Sequence, residues 1–473
     1  MSELPFGWAS CSVGELIERI ETGKSVKCDE RPPIGPEKGL VKISAVTWGK
    51  FDEKESKTLL DDTHLKPNEK IQQGDFLISR ANTLELVGSC VLVKSISKNL
   101  YLSDKVLRLV LADETKPWLL ACLKTHEGRR QIESLATGNQ LSMRNISQQA
   151  IRDIKIPLPP LPEQTRIAQK IEELLAKVDP LKAHIDAIPA LLKRFRQSVL
   201  ASATSGRLTE EWRAHRISGA ITTEQAYEDG GLPLDWKVRP LKKLVTKIEQ
   251  GWSPKCESVS ASDDEWAVIK TTAIQPITFG PLENKKLPTT LLPRPELTIV
   301  IGDILITRAG PRSRAAVCCY VRATQPKLMV CDKAYRFRTI EEEFSGLLMC
   351  YFLNAPQFVR ALDDLKTGIS ESGLNLTMKK FQDLELPQPP IEEQIEIVRQ
   401  IEQLFAFANQ LEAKVASAKG RIDLLTQSIL AKAFRGELVL QDPNDEPARV
   451  LLERIKAQRA AAPKPKRSRK ASA

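Results

Sequence analysis

The chain is poor in the residues that most catalytic chemistry needs in clusters. It has only four histidines (His64, His126, His184 and His215), too far apart to suggest a ligand set. Nine cysteines are scattered without a Cys-x-x-Cys pair, and only the adjacent Cys318 and Cys319 are close. That usage excludes a disulfide-stapled secreted scaffold, argues against zinc and predicts a reducing, cytoplasmic setting. No apolar run approaches the ~18 residues of a membrane helix, and the first residues lack the charged-then-apolar order of a secretory signal, so no membrane partner is expected. Glu21–Ser25 contains Gly-Lys-Ser, but Glu18 occupies the place of the first glycine of a phosphate-binding loop. Gln-Pro-Pro-Ile at 388–391 is not the acidic- or amide-Pro-Pro-aromatic motif of amino-methyltransferases, and no glycine-rich cofactor loop precedes it. Asp263, Asp264, Glu265 and Lys270 are poorly spaced for a nuclease carboxylate–lysine set and read as a polar loop. Catalysis by this chain alone is not expected.

Composition is otherwise that of a folded protein, with 42% hydrophobic and 27% charged residues among 473. The net charge is +10, but the last twelve residues (462–473) hold five cations and no acid, so half the excess lies in a Pro/Ala/Ser tail that cannot form a core. That tail is either solubilising or a weak DNA contact. One internal window, Ile304–Arg338, carries eight cations against the single acid Asp332, with Tyr320, Tyr335 and Phe337 interleaved. The matching window at 76–110 has five cations and two acids. Clustered cations suit phosphate neutralisation, although a solvated strand face has the same composition.

The chain is written twice. Residues 153–208 align without a gap on 383–438, with 20 of 56 positions identical. Within both copies apolar residues alternate at spacings of four and three, from Ile167 to Val199 and from Ile397 to Ile429. Such seams predict long coiled-coil helices, each seam roughly 50 Å long. Pro159-Pro160 and Pro389-Pro390 mark the starts, and Gly206 and Gly436 the stops. Pro180 and Pro189 should kink or restart the first helix, with Asp179 a candidate cap. The preceding segments repeat more faintly: Leu4–Trp8 matches Leu232–Trp236, and Gly-Asp-Phe-Leu-Ile-Ser-Arg-Ala matches Gly-Asp-Ile-Leu-Ile-Thr-Arg-Ala, at an offset of 228. By Thr137-Gly138 and Thr367-Gly368 the offset is 230.

Alternating β-branched runs such as these, with Val106–Ala112 and Lys333–Ile340, predict strands; Ser12–Ile20 and Trp118–Thr125 predict short helices. The expected fold is mixed α+β: two related globular domains joined by two long antiparallel coiled-coil helices in a pseudo-two-fold body. The boundaries are domain 1 at 1–152, repeat helix 1 at 153–208, a linker at 209–231, domain 2 at 232–382, repeat helix 2 at 383–440 and a C-terminal segment at 441–473.

These motifs together resemble the specificity subunit of type I restriction–modification enzymes. The similarity runs from Leu4 to about Leu440 and is most specific in the Pro-Pro-x-x-Glu-Gln helix starts, Leu191–Arg213, the Leu-Pro-x-x-Trp openings and the Thr-Gly loops followed by Asn145 and Asn375. The second helix lacks the Lys193–Gln197 basic run of the first. The resemblance implies that each globule is a target-recognition domain reading one half of a bipartite, asymmetric site on double-stranded DNA. It implies that the helices set the spacing and dock two methyltransferase subunits, with restriction subunits joining for ATP-dependent cleavage. No cofactor is expected on this chain; S-adenosylmethionine, ATP and magnesium belong to the partners. Two rival readings are a coiled-coil scaffold without DNA specificity and a stand-alone DNA-modification or nuclease protein with an unrecognised site.

Candidate DNA contacts are Lys24, Arg80, Arg108, Asn139, Gln140 and Arg144 in domain 1, and Arg308, Arg312, Arg314, Lys333 and Arg336 in domain 2, with the 369–374 loop. Arginine can bind guanine, and asparagine or glutamine adenine, through paired hydrogen bonds. Positions shared by both domains argue for phosphate contact or folding, differing ones such as Arg312 and Arg314 for base choice. Trp8 and Trp236 read as core anchors. Candidate partner-binding residues are Pro160, Glu163, Gln164 and Arg166, with Pro390, Glu393 and Gln394, because these motifs recur where a coiled coil does not require them.

Overall fold

A computed structural model describes residues 4–461 apart from 48, 62, 64, 141–142, 217–230 and 369–372. His64, most of the 209–231 linker, most of the 369–374 loop and the basic tail therefore lie outside the described residues. The side chains of Asn139 and Gln140 lie outside them too.

The fold is mixed α+β, in two compact units: Met1–Ile185 with Ala418–Ala473, and Asp186–Ser417. Each contains one recognition domain, the first half of the long helix that follows it and the last half of the other long helix. In the first domain a four-stranded antiparallel sheet has the order Arg19–Thr22, Val106–Val110, Phe76–Ser79, Cys90–Leu92. The second domain repeats this order with Glu249–Gln250, Ala334–Phe337, Ile304–Thr307 and Cys318–Tyr320, and adds Ile277–Thr278. The central strands are buried on both faces, which is why they read as continuous apolar runs. Helices Lys116–Lys124 and His126–Leu135 cover the first sheet, and Gly346–Leu353 and Pro356–Asp364 their counterparts. Ser12–Ile20, expected as one helix, is a single turn (Val13–Leu16) followed by the Arg19–Thr22 strand, because this segment pairs with the sheet through Ile20 and Thr22.

The two long helices run Leu161–Thr204 and Ile391–Phe434. Both begin directly after the proline pairs and end before Gly206 and Gly436, whose φ values of 77° and 69° stop a helix without strain. The first helix passes through Pro180 and Pro189 without restarting. Both prolines are on the exposed side, where water can satisfy the carbonyls they release. In the first unit the helix segments are antiparallel, with Arg166 on Asp445 (2.6 Å) and Lys182 on Asp423 (2.9 Å). In the second, Arg196 binds Glu412 at 2.8 Å in the same sense.

The repeated motifs hold each unit together. Trp8 donates its indole N–H to Glu163 (3.0 Å), and Trp236 to Glu393 (2.9 Å), in the interior. Pro5 lies over Gly436 and Pro233 over Gly206, so near that an added Cβ would stand 2.8 and 2.4 Å from the proline ring. Each Leu-Pro-x-x-Trp opening thus fastens the start of its own helix to the end of the other. Both tryptophans are core anchors, as their spacing suggested.

Candidate nucleic-acid interface

At the end of its central strand each domain builds the same rim. In domain 1 the Phe76–Ser79 strand ends at Arg80, whose N–H donates to the carbonyl of Lys105 (2.8 Å) and whose carbonyl accepts from Ile146 N–H (2.9 Å). Arg80 is therefore the junction between the Asp104-Lys105 turn and a hairpin of Thr137–Gln140 and Met143–Asn145, which also takes in Ala81–Asn82. In domain 2 Arg308 makes the same bonds, to Lys333 O (2.8 Å) and from Leu376 N–H (2.7 Å). There the hairpin is Lys366–Thr367 and Leu374–Leu376 with Ala309–Gly310. The repeated Thr-Gly has a steric cause: Gly138 and Gly368 have φ of 135° and 149°, and a Cβ on either would meet a carbonyl oxygen at 2.6 or 2.7 Å.

The structure divides the expected DNA contacts sharply. Arg108 is 8% exposed and not available to DNA. It donates to Glu21 (2.8 Å), Asp75 (2.6 Å), the carbonyl of Asn68 (2.7 Å) and that of Lys70. Arg336 repeats this clamp in register: it holds Glu249 and the carbonyls of Glu296 (2.7 Å) and Thr298 (2.6 Å), all 228 residues on from the first set. Glu21 loses hydration on burial, yet Arg19 and Arg108 hold its carboxyl below the ordinary range, and Arg336 does the same for Glu249. Arg314 is likewise structural, donating to the carbonyls of Thr271 (2.5 Å) and Ile274 (2.9 Å). Arg308 is half-buried over the Tyr335 ring and donates to Asp332 O at 3.2 Å. Arg144 donates to Gly138 O (2.8 Å) inside its own hairpin.

Lys24, Arg80 and Lys333 are exposed, with no side-chain partner among the described residues. Arg312 is also exposed, and binds Asp363 at 2.6 Å. The cation-rich window is thus mostly internal wiring, since Arg322 is held by Glu402, Lys327 by Asp264 O and Arg338 by Asp303. Asp263–Lys270 is no carboxylate–lysine centre: Glu265 pairs with Lys286 and Lys270 with Glu283.

The motif residues expected to meet a partner point inward. Glu163, Gln164, Glu393 and Gln394 are each no more than 1% exposed, and Pro160 is buried. Gln164 and Gln394 donate to the carbonyls of Pro159 and Pro389, both at 2.9 Å, turning the chain into the helix. Arg166 is half-buried on Asp445, which leaves Pro390 exposed. What the spacing did not reveal is a set of exposed apolar residues at mid-helix. Leu181, Leu424 and Leu425 are uncovered in the first unit and Leu191 and Phe407 in the second, although Leu181 and Leu425 belong to the predicted seams.

The two carboxylates are held differently. Glu393 is met by Trp236, Thr209 (2.6 Å) and the Arg213 guanidinium. Position 443, where the repeat would place a counterpart of Arg213, is proline. Glu163 therefore has no counterpart of that buried cation, and burial pushes its carboxyl above the ordinary 4.5, with Trp8, Arg166 and Gln441 only partly offsetting this. A carboxyl raised in the folded state binds more protons there than when unfolded, so the contribution of Glu163 to the stability of the first unit grows as pH falls from neutrality toward 4.5. Glu163→Gln should flatten that dependence in thermal-unfolding scans at several pH values, while keeping the Trp8 bond. An unchanged slope would show that Glu163 is not its source.

Among the described residues no helix is long and apolar enough to cross a membrane, and no cluster of His, Cys, Asp and Glu could hold a metal. A family profile described as the type I restriction modification DNA specificity domain matches residues 7–190 and 233–417. The Type I restriction enzyme EcoKI specificity subunit of Escherichia coli (strain K12) is 34% identical over 73% of this chain and 72% of its own. The Type I restriction enzyme EcoBI specificity subunit of Escherichia coli is 34% identical over 71% of each chain. A chain from a solved structure on complex assembly and conformational transition of the type I R-M system superposes with a TM-score of 0.59. That match is 20% identical and covers 92% of this chain and all of the other. With both repeats matched in order, and two relatives similar over most of their length, the chain belongs to the family of type I restriction–modification specificity subunits.

Proposed function

We propose that this chain is the DNA-reading subunit of a type I restriction–modification complex. Each recognition domain reads one half of a bipartite, asymmetric site, and the long helices set the distance between halves. The observation that carries this reading is the repeated rim. The frame that builds it (the backbone bonds of Arg80 and Arg308 to Lys105 and Lys333, with Gly138 and Gly368) is kept in register, while other side chains along it, such as Asn82 against Gly310 and Lys24 against Trp252, differ between domains. One scaffold with two surfaces is what a site with unlike halves requires.

The chain itself is not catalytic in this reading. Two methyltransferase subunits transfer a methyl group from S-adenosylmethionine to adenine, and restriction subunits use ATP and magnesium to cut unmodified DNA. The exposed apolar residues at mid-helix suit partner docking better than the buried Glu163 and Glu393, because a docking surface must be reachable in the free chain. Methylome sequencing of a host carrying this gene with its methyltransferase should reveal one two-part adenine motif that vanishes when this gene is deleted. A motif that persists without it, or methylation by the purified chain alone, overturns the proposal. Within such a complex, Arg312→Ala is expected to relax one half-site only.

A further inference from the structure

A short loop in each domain sorts its own residues by what they do. Residues 23–28 read Gly-Lys-Ser-Val-Lys-Cys and residues 251–256 read Gly-Trp-Ser-Pro-Lys-Cys, again 228 apart. Four of the six positions are shared, and three of those have a structural cause in at least one domain. A Cβ on Gly23 would stand 1.7 Å from the carbonyl oxygen of Leu102, and one on Gly251 2.2 Å from that of Val330, so only glycine allows the loop to press against the rim. Cys28 and Cys256 are half-buried, and burial raises both thiols. Ser253 donates to Asp332 (2.5 Å) and accepts from its N–H, tying the loop to the Asp332-Lys333 turn.

The fourth shared position has no such cause. Lys27 and Lys255 are exposed, with no side-chain partner among the described residues, and their immediate neighbours have diverged to Val26 and Pro254. A second shared lysine follows on the same rim, at Lys105 and Lys333, against which the loop's glycine packs two to three residues upstream. Among the described residues the Lys105 side chain, half exposed, meets the adjacent Asp104 alone, at 3.5 Å. Asp332, the acid next to Lys333 in sequence, is already engaged by Ser253.

We infer that Lys27 with Lys105, and Lys255 with Lys333, are the phosphate grip of the two domains. These four lysines fix each domain on the duplex backbone without choosing sequence. A charge with no role in folding survives in both copies of a diverged loop when both bind the chemistry common to every half-site, and that chemistry is the phosphate. The loop position after the glycine is free of this constraint and differs completely: Lys24 is exposed, whereas Trp252 is stacked under Arg294, 4.4 Å from the ring centre.

This inference rests on the DNA-reading proposal, and the test separates the two. The complex with its own methyltransferase is titrated with a duplex carrying the methylated motif and with a scrambled duplex, across a range of salt. Lys27→Gln and Lys255→Gln should each weaken both duplexes by the same factor, about three- to ten-fold. Each should also reduce the slope of log affinity against log salt by about 0.9. Lys27→Arg should restore the slope. A wild-type complex that binds both duplexes equally overturns the DNA-reading proposal itself. A discriminating wild type whose slope is unchanged in both variants, or whose loss is confined to the motif duplex, overturns the grip alone.

Discussion

Arg213→Ala should lower the stability of the second unit by about 3–5 kcal/mol, the usual consequence of stranding a buried charge. Arg213 lies on the short helix Glu210–Arg216 and its guanidinium meets Glu393, Thr209 (3.1 Å) and the carbonyl of Gly206 (2.5 Å). Glu393 is 1% exposed, so water cannot replace the lost cation without opening the seat of Trp236. Glu393→Gln keeps the tryptophan bond but leaves Arg213 facing a neutral amide, and should cost less because the cation is nearer the surface. The double variant should recover part of the loss, a coupling that thermal or denaturant unfolding can measure as a double-mutant cycle. A loss below about 1 kcal/mol for Arg213→Ala would mean the unit relaxes around the gap.

Arg108→Ala and Arg80→Ala should behave as opposites, though Arg108 lies within the first domain's sheet and Arg80 directly follows one of its strands. Arg108 satisfies two carboxylates and two carbonyls from a nearly buried position, and its removal should cost about 3–5 kcal/mol in the first unit. Arg80 holds its place through its backbone alone, so its truncation should change stability by no more than about 0.5 kcal/mol. In the assembled complex the order reverses for DNA: Arg80→Ala should weaken binding about three- to ten-fold, at lower salt dependence. Unfolding and DNA titrations on the two variants read both axes. Equal destabilisation by the two would contradict the division of roles.

The architecture was legible because it is carried by local pattern. Strands such as Ile304–Thr307, the helix starts after paired prolines and the glycine stops all rest on residues within a few positions of each other. The misassigned arginines were not legible in that way. Arg108 meets Glu21 from 87 residues away, and an arginine in an alternating strand has the same composition whether it faces a carboxylate or a phosphate. A usable signal was nevertheless present: Glu21 and Glu249 keep the offset that Arg108 and Arg336 keep, so the charge pair itself is repeated. Glu163 and Glu393 also recur with Trp8 and Trp236, although there the two offsets are 230 and 228. Recurrence marked these carboxylates as indispensable and said nothing about which way they face.

The way each unit borrows the end of the other helix has a consequence for the order of birth on the ribosome. The first recognition domain is made first, but the core around Trp8 and Trp118 is closed by Phe434, Ala448, Leu451 and Leu452. At roughly 5–20 residues per second, the domain waits for roughly 300 further residues, about 15–60 s, before its last wall arrives. The second unit needs nothing beyond Ser417 and is the earlier of the two to be complete. The nascent chain therefore matures from its middle outward, and its amino-terminal half is the part that stays longest with an open core.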